Sequence, residues 1–471
     1  YRGRAKLPCQ LLNKIDQPKK GEFMNTQKPV IGVVALGRPT FDVPLANEVS
    51  DQAWQNLSSL DAKLVGSKEL LFDADAVKKA LNELKQEQLD LLLIMQVTFT
   101  DATMTVELAK AINAPIILWS FPEPRAGDRL RLNSFCGINL AGHALGKADI
   151  EFDYIYKTAD NQAAVNEILS LAKARIVYNR LQDTRLAVIG DHPDGFDTCE
   201  YDKDQIKEWC GVIVDKINLS GFLKQASAIA DSETDQVYNR VDQEVCNLDE
   251  METEPLRKSL KAYSALKILA RDNNYHSLAV RCWPEFFTEY GCAACGAMAM
   301  MNEDEVPCSC EADLFGSLST LILLWLSDSP AFLADLVDID VNDNTGVLWH
   351  CGLAPLSMAD KQVPARATIH TNRKKPFLYE FTLKPGRITI LRLTQAKNKL
   401  QMVIGGGEMI QAPMSFTGTS GVVKFDVSAE SVLEKIMKEG LEHHYSIVYG
   451  DCRVALKKLA NLLNIPVMEI D

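Results

Sequence analysis

Apolar runs of strand length alternate with helix-like stretches through the first two thirds of the chain. Val30–Ala35, Leu91–Met95 and Pro115–Trp119 are apolar throughout, and helical patterns separate them at about 44–60 and at Val106–Ile112. Strands buried on both faces and alternating with helices predict a parallel, doubly wound sheet. After a long helical stretch at about 161–181 the pattern restarts. Thr184–Gly190, Gly211–Val214 and Ser277–Val280 read as strands, helices run from Ser232 to Asp272, and Leu314–Leu326 reads as a helix. Beyond Pro330 the texture changes. Phe377–Leu383, Arg387–Leu393, Leu400–Ile404 and Gly421–Asp426 show partial period-2 alternation, and Lys384-Pro385-Gly386 supplies a turn. The chain closes with the helix Ala429–Glu439, strand Tyr445–Tyr449, helix Arg453–Leu463 and strand Val467–Ile470. The predicted fold class is therefore α/β: two Rossmann-like doubly wound domains, at 29–182 and 183–345, then a β-rich domain at 346–471 built as a small antiparallel barrel. Residues 1–28 are set apart as a leader. Residues 1–23 are basic and precede Met24, which looks like a natural start, so they read as an added or disordered extension.

In open parallel sheets, ligands sit beyond the C-terminal ends of the strands. That rule nominates Arg38, Thr40, Gln96, Thr98, Glu123 and Arg125 in the first domain. Asp191, Glu285 and the Glu311/Asp313 pair occupy equivalent places in the second. No GxGxxG follows the first strand and no GxxxxGK[ST] occurs, which removes dehydrogenase and kinase readings.

Composition narrows the class further. The 471 residues carry a net charge of −13, which argues against a broad basic surface for nucleic acid. The apolar runs Leu91–Met95 and Leu321–Leu326 are too short to span a bilayer. The 12 cysteines are scattered rather than framed as disulfides, and no signal peptide is evident, so a reduced, cytoplasmic protein is expected.

Candidate chemistry gathers in two stretches, Arg281–Leu314 and Glu442–Tyr445. Carboxylates with imidazole suit a borderline divalent ion such as Mn²⁺. Glu285, Glu311 and Asp313 stand among Trp283, Phe286, Cys308, Cys310 and Leu314. Of seven histidines, His443 and His444 adjoin a strand and His350 ends an apolar run. Neighbours on a strand face opposite ways, so at most one of His443 and His444 is expected to ligate a given ion. Cys292, Cys295, Cys308 and Cys310 form C-x₂-C-x₁₂-C-x-C, which approaches a structural zinc spacing. This leaves open a structural zinc or iron–sulfur protein. A non-catalytic sugar-binding protein is a further alternative, though it has no need of the acidic cluster and histidine pair.

The segments IGVVALGRPTFDVPLA, RCWPEF, SCEADLFGS, VLWHCGLAP and EHHYSIVYGD together resemble the L-fucose isomerase / L-arabinose isomerase superfamily, from about residue 29 to the C-terminus. The resemblance implies a metal-dependent aldose–ketose isomerase that uses Mn²⁺ and works as a homo-oligomer, commonly a hexamer, with a small sugar as its partner and neither nucleic acid nor membrane. The arabinose-type pattern implies Glu311, His350 and His444 as ligands, and its second glutamate falls near Ala334-Asp335, where no glutamate stands. The fucose-type pattern, as matched here, implies Asp313 with an upstream glutamate, for which Glu285 is the best match and Glu289 the spare. The expected metal ligands are thus Glu285, Asp313 and His444, with Glu311 beside them. Glu285, Asp313 and Glu311 are also the expected proton carriers through a cis-enediol. Arg38, Thr40, Gln96, Arg125, His350 and His443 are expected to hold substrate. An arginine at its far end would suit a sulfonate or phosphate, which brings sulfoquinovose among the candidate sugars.

Overall fold

The computed structural model describes residues 28–470 apart from 124, 126 and 128; the leader expected at 1–28 lies, except for Lys28, outside the described residues. Two compact units emerge, residues 28–178 and residues 179–470. The stretches expected as second and third domains share the latter.

In the first unit, β1 (Val30–Leu36), β2 (Lys63–Leu71), β3 (Leu91–Gln96), β4 (Ile116–Ser120) and β5 (Asp153–Tyr156) form a parallel sheet of order 2-1-3-4-5. Its core strands are buried on both faces. Ile31, Val33 and Ala35 pack with the helices Val43–Leu57 and Gln162–Gln182, while Val30, Val34 and Leu36 pack with Ala74–Leu84, Thr103–Ala111 and Ser134–Lys147. β2 and β5 carry exposed polar and aromatic positions. They are therefore not continuous apolar runs, and sequence pattern passed over them.

In the second unit, β6 (Arg185–Ile189), β7 (Ile213–Ile217), β8 (Ser277–Val280) and the short β9 (Cys308–Ser309) form a parallel sheet of order 7-6-8-9. The chain then enters β10 (Phe332–Asp340), β11 (Thr345–His350), β12 (Arg366–Thr368), β13 (Leu378–Thr382), β14 (Gly386–Thr394), β15 (Gln401–Ile410), β16 (Thr419–Phe425), β17 (His444–Tyr449) and β18 (Val467–Glu469). They make one nine-stranded sheet of order 12-13-16-11-10-17-14-15-18. A further pairing of β15 with β16 closes β16, β11, β10, β17, β14 and β15 into a ring. The sheet is mostly antiparallel, but β13–β16 and β15–β18 run parallel. The helix Leu314–Ser327, buried from Leu314 to Leu326, lies against this sheet and β8. Among the described residues, no helix is long and apolar enough to cross a membrane.

Candidate active site

Two features of the backbone build the site. The first is the turn from β9 into the helix Leu314–Ser327. Glu311 and Ala312 both adopt left-handed conformations, with φ of 57° and 55°. Such backbone is unfavourable for residues with a Cβ and clusters at functional positions. Asp313 follows as the helix N-cap, its Oδ1 accepting from the Gly316 N–H at 2.8 Å. Gly316 is required here, because a Cβ would stand 2.6 Å from Asp313 Oδ2 and 2.7 Å from a Leu333 methyl.

The second feature is the register of β10 against β17. Asp335 and His444 are direct cross-strand partners, so their side chains share a face. His444 is 2% exposed and sits among three carboxylates. Its Nδ1 lies 2.9 Å from Asp313 Oδ2, and its Nε2 lies 3.1 Å from Asp335 Oδ1 and 3.6 Å from Glu311 Oε2. Asp313 is fully buried, and its Oδ2 also accepts from Arg392 Nη1 at 2.5 Å. Arg392 is itself fully buried and stands 3.7 Å from Glu442.

The electrostatics follow from this geometry. Burial opposes charge on every member, but the partners outweigh it. Asp313 is held far below the usual carboxylate range by Arg392 and His444. Glu311 is lowered by His443, His444 and Trp283, and Asp335 by His444 and His350. His444, against its own desolvation, is raised well above the usual imidazole range by Asp313 and Asp335. Trp283 Nε1–H donates to Glu311 Oε1 at 3.0 Å. Glu311 Oε2 and Asp335 Oδ1 are buried and have no hydrogen-bond partner among the described residues. Two partnerless anionic oxygens beside an imidazole nitrogen are a donor set for a divalent cation.

The expected residues divide. Glu311, Asp313, His350, His443 and His444 come together; Glu285 does not. Its Oε2 is taken by Arg281 Nε at 2.8 Å, and it lines an open cavity with Asp191 and Lys216. Among the described residues, the His/Cys/Asp/Glu groups whose ligand atoms already stand close enough together to share an ion are Cys310–His350–His444, Cys199–Asp313–His444 and Glu311–His443–His444; neither Glu285 nor Asp335 is in one, but Asp335 stands 3.1 Å from His444 Nε2 while Glu285 is held by Arg281. His443 precedes β17 rather than lying on it. The opposite-face argument for the histidine pair therefore does not apply, and both Nε2 atoms approach Glu311 Oε2, at 3.7 and 3.6 Å. His350 Nε2 lies 2.9 Å from Cys310 Sγ.

The four cysteines of the zinc-like motif do not converge. Cys310 faces His350 and His444, Cys295 faces Cys351 at 3.1 Å, and only Cys310 of the four appears in any of those groups. Arg38, Thr40, Gln96 and Arg125 belong to the first unit. There Gln96 is fully buried and donates to Thr98 O and Thr100 Oγ1, while Arg38, Thr40 and Arg125 are exposed. Sequence reasoning passed over Asp335 and Arg392. Asp335 stood where a glutamate was sought, and only the pairing of β10 with β17 marks it out.

Comparison with known proteins agrees with this architecture. Residues 32–179 match the fucose/sulfoquinovose isomerase N-terminal domain, and residues 348–471 match the L-fucose isomerase C-terminal domain. Sulfoquinovose isomerases of Priestia aryabhattai and Priestia megaterium are each 30% identical over 440 residues, covering 93% of this chain and 98% of theirs. The sulfoquinovose isomerase of Alkalicoccus urumqiensis is 28% identical over 437 residues, covering 93% and 98%. The chain belongs to the fucose/sulfoquinovose isomerase family and is an isomerase.

Proposed function

We propose that the protein interconverts sulfoquinovose and its ketose, with a divalent cation, Mn²⁺ by preference, held by Glu311, Asp335 and His444. The observation that carries the site is the pair of buried carboxylate oxygens without hydrogen-bond partners, Glu311 Oε2 and Asp335 Oδ1, both facing His444 Nε2. The oxygen-rich donor set fits a hard or borderline ion. The substrate is inferred from the relatives' names and their near-complete coverage.

In this reading Asp313 positions rather than ligates. It accepts from His444 Nδ1, fixes the ring and leaves Nε2 directed at the two free carboxylate oxygens. Arg392 anchors Asp313 in turn. An ion held by these residues would supply Lewis-acid polarisation to the adjacent carbonyl and hydroxyl of the sugar. Glu311 and Asp335, both ionised, stand ready to take a proton from one carbon and return it to the next through a cis-enediol. Trp283 holds Glu311 by one oxygen and leaves the other free.

The test is turnover of a panel containing sulfoquinovose, glucose, mannose, L-fucose and L-arabinose with added Mn²⁺, with and without EDTA, read by NMR. Sulfoquinovose turnover that EDTA abolishes and Mn²⁺ restores is expected. Turnover unaffected by EDTA overturns the metal reading, and preference for a neutral sugar overturns the substrate reading.

A further inference from the structure

A sulfonated sugar brings a permanent negative charge at the end remote from the reacting carbons, and the site needs a cation to meet it. The arginines and lysines near the reaction centre are largely committed. Arg392 is buried on Asp313, Arg281 is paired with Glu285, and Lys375 lies 3.7 Å from Glu252. Arg373 differs. Its Cζ lies 4.7 Å from the ring centre of Trp283 and 5.2 Å from that of Phe287, and its Nη1 lies 3.2 Å from His370 Nε2. Among the described residues, its side-chain partners are His370, Trp283 and Phe287; none is a carboxylate. His370 adds no compensating charge. Burial, then Arg373 and His350, hold it down to about 4, so it is neutral at physiological pH.

Trp283 ties this cation to the reaction centre. Its edge donates to Glu311 at 3.0 Å while its face carries the guanidinium. The free carboxylate and the unneutralised arginine therefore stand one indole apart, on the same aromatic wall, which Phe196 extends with a ring centre 5.2 Å from that of Trp283. A guanidinium stacked on an aromatic face keeps its in-plane N–H donors available, and that fork matches two oxygens of a sulfonate or phosphate.

We propose that Arg373, stacked on Trp283 and Phe287, is the anion-recognising residue of the substrate site and selects sugars bearing a sulfonate at the end remote from C1. This rests on the sulfoquinovose reading above and names the residue that would confer it. A neutral sugar leaves the guanidinium unanswered, so the preference arises from this contact.

The test compares wild type with Arg373→Ala and Arg373→Lys, measuring kcat and KM for sulfoquinovose and the inhibition constant of glucose as a neutral competitor. Loss of one charge-assisted bidentate contact is expected to raise KM for sulfoquinovose about ten- to hundredfold in R373A, with kcat changing less than about threefold and the glucose inhibition constant less than about twofold. R373K should recover part of the loss, as a point charge without the fork. Unchanged KM in R373A overturns the inference while leaving the substrate reading intact. Parallel weakening of sulfoquinovose and glucose also overturns it, since that would show Arg373 supporting the wall rather than meeting the anion. Wild-type enzyme that does not turn over sulfoquinovose overturns the substrate reading and this inference with it.

Discussion

Asp313→Asn separates a positioning residue from a metal ligand. Both oxygens of Asp313 act as acceptors: Oδ1 from Gly316 N–H, Oδ2 from Arg392 and His444. An amide in its place offers only one acceptor oxygen. Whichever way that amide turns, its NH₂ meets a donor, and either the helix cap or the histidine loses its partner. Carboxylates that orient a ligating histidine are worth about ten- to hundredfold in metal affinity, or about 1.4–2.8 kcal/mol. The fold suffers separately. Arg392 keeps Thr198 O at 3.1 Å and Glu442 at 3.7 Å, but loses its closest anion inside the core. Breaking a buried pair costs about 3–5 kcal/mol, and the remaining partners put D313N near the lower end. Mn²⁺ affinity by titration, with melting temperature on the same samples, measures both effects. D313N should still bind one Mn²⁺ per chain, about ten- to hundredfold more weakly, while E311Q and D335N should lose binding almost entirely. If D313N loses binding as completely as those two, Asp313 is a ligand. If it binds as wild type does, Asp313 does not position His444.

Three further outcomes follow from the same geometry. Glu285→Gln disturbs only the partly exposed pair with Arg281, worth about 0–1 kcal/mol, so Mn²⁺ affinity should move less than about twofold; loss of metal would return Glu285 to the site. Arg392→Met leaves Asp313 and Glu442 buried without their cation and should cost about 3–5 kcal/mol of stability by denaturant unfolding; an effect below about 1 kcal/mol would contradict the buried network. In metal-free protein, His444 is raised above its unfolded value, so its contribution to stability is fully present below about pH 6.5 and is lost as pH rises through the folded value. The metal-free melting temperature should therefore fall on going alkaline, Mn²⁺ affinity should rise over the same range as the competing proton leaves, and His444→Asn should flatten both dependences.

Much of this was legible in the sequence. The parallel sheets announced themselves through Val30–Ala35, Leu91–Met95, Thr184–Gly190 and Ser277–Val280, because burial on both faces demands unbroken apolar runs. The SCEAD segment and the histidine pair pointed to Glu311, Asp313 and His444. What stayed hidden was set by register and polarity. β10 begins buried and ends exposed and acidic, so Phe332–Asp340 lacks a strand signature, and its partnership with β17 is a long-range fact. Asp335 therefore stood as a missing glutamate rather than as the cross-strand neighbour of His444. Arg392 lies in an alternating strand where its charge reads as outward-facing, yet it is wholly buried. Glu285 looked like a strand-end carboxylate on a par with Glu311, but it comes just before a single π-helical turn, at 286–290, and spends its charge on Arg281 four residues earlier.

Proton transfer by Glu311 and Asp335 is the central claim. Sulfoquinovose turnover in D₂O, followed by NMR at C1 and C2, tests it. Deuterium entering the product at the carbon that receives the proton, with label and turnover lost together in E311Q and D335N, is predicted. No solvent deuterium at either carbon, even after many forward and reverse turnovers at equilibrium, would point to direct hydrogen migration between the carbons and would contradict the role given to the two carboxylates.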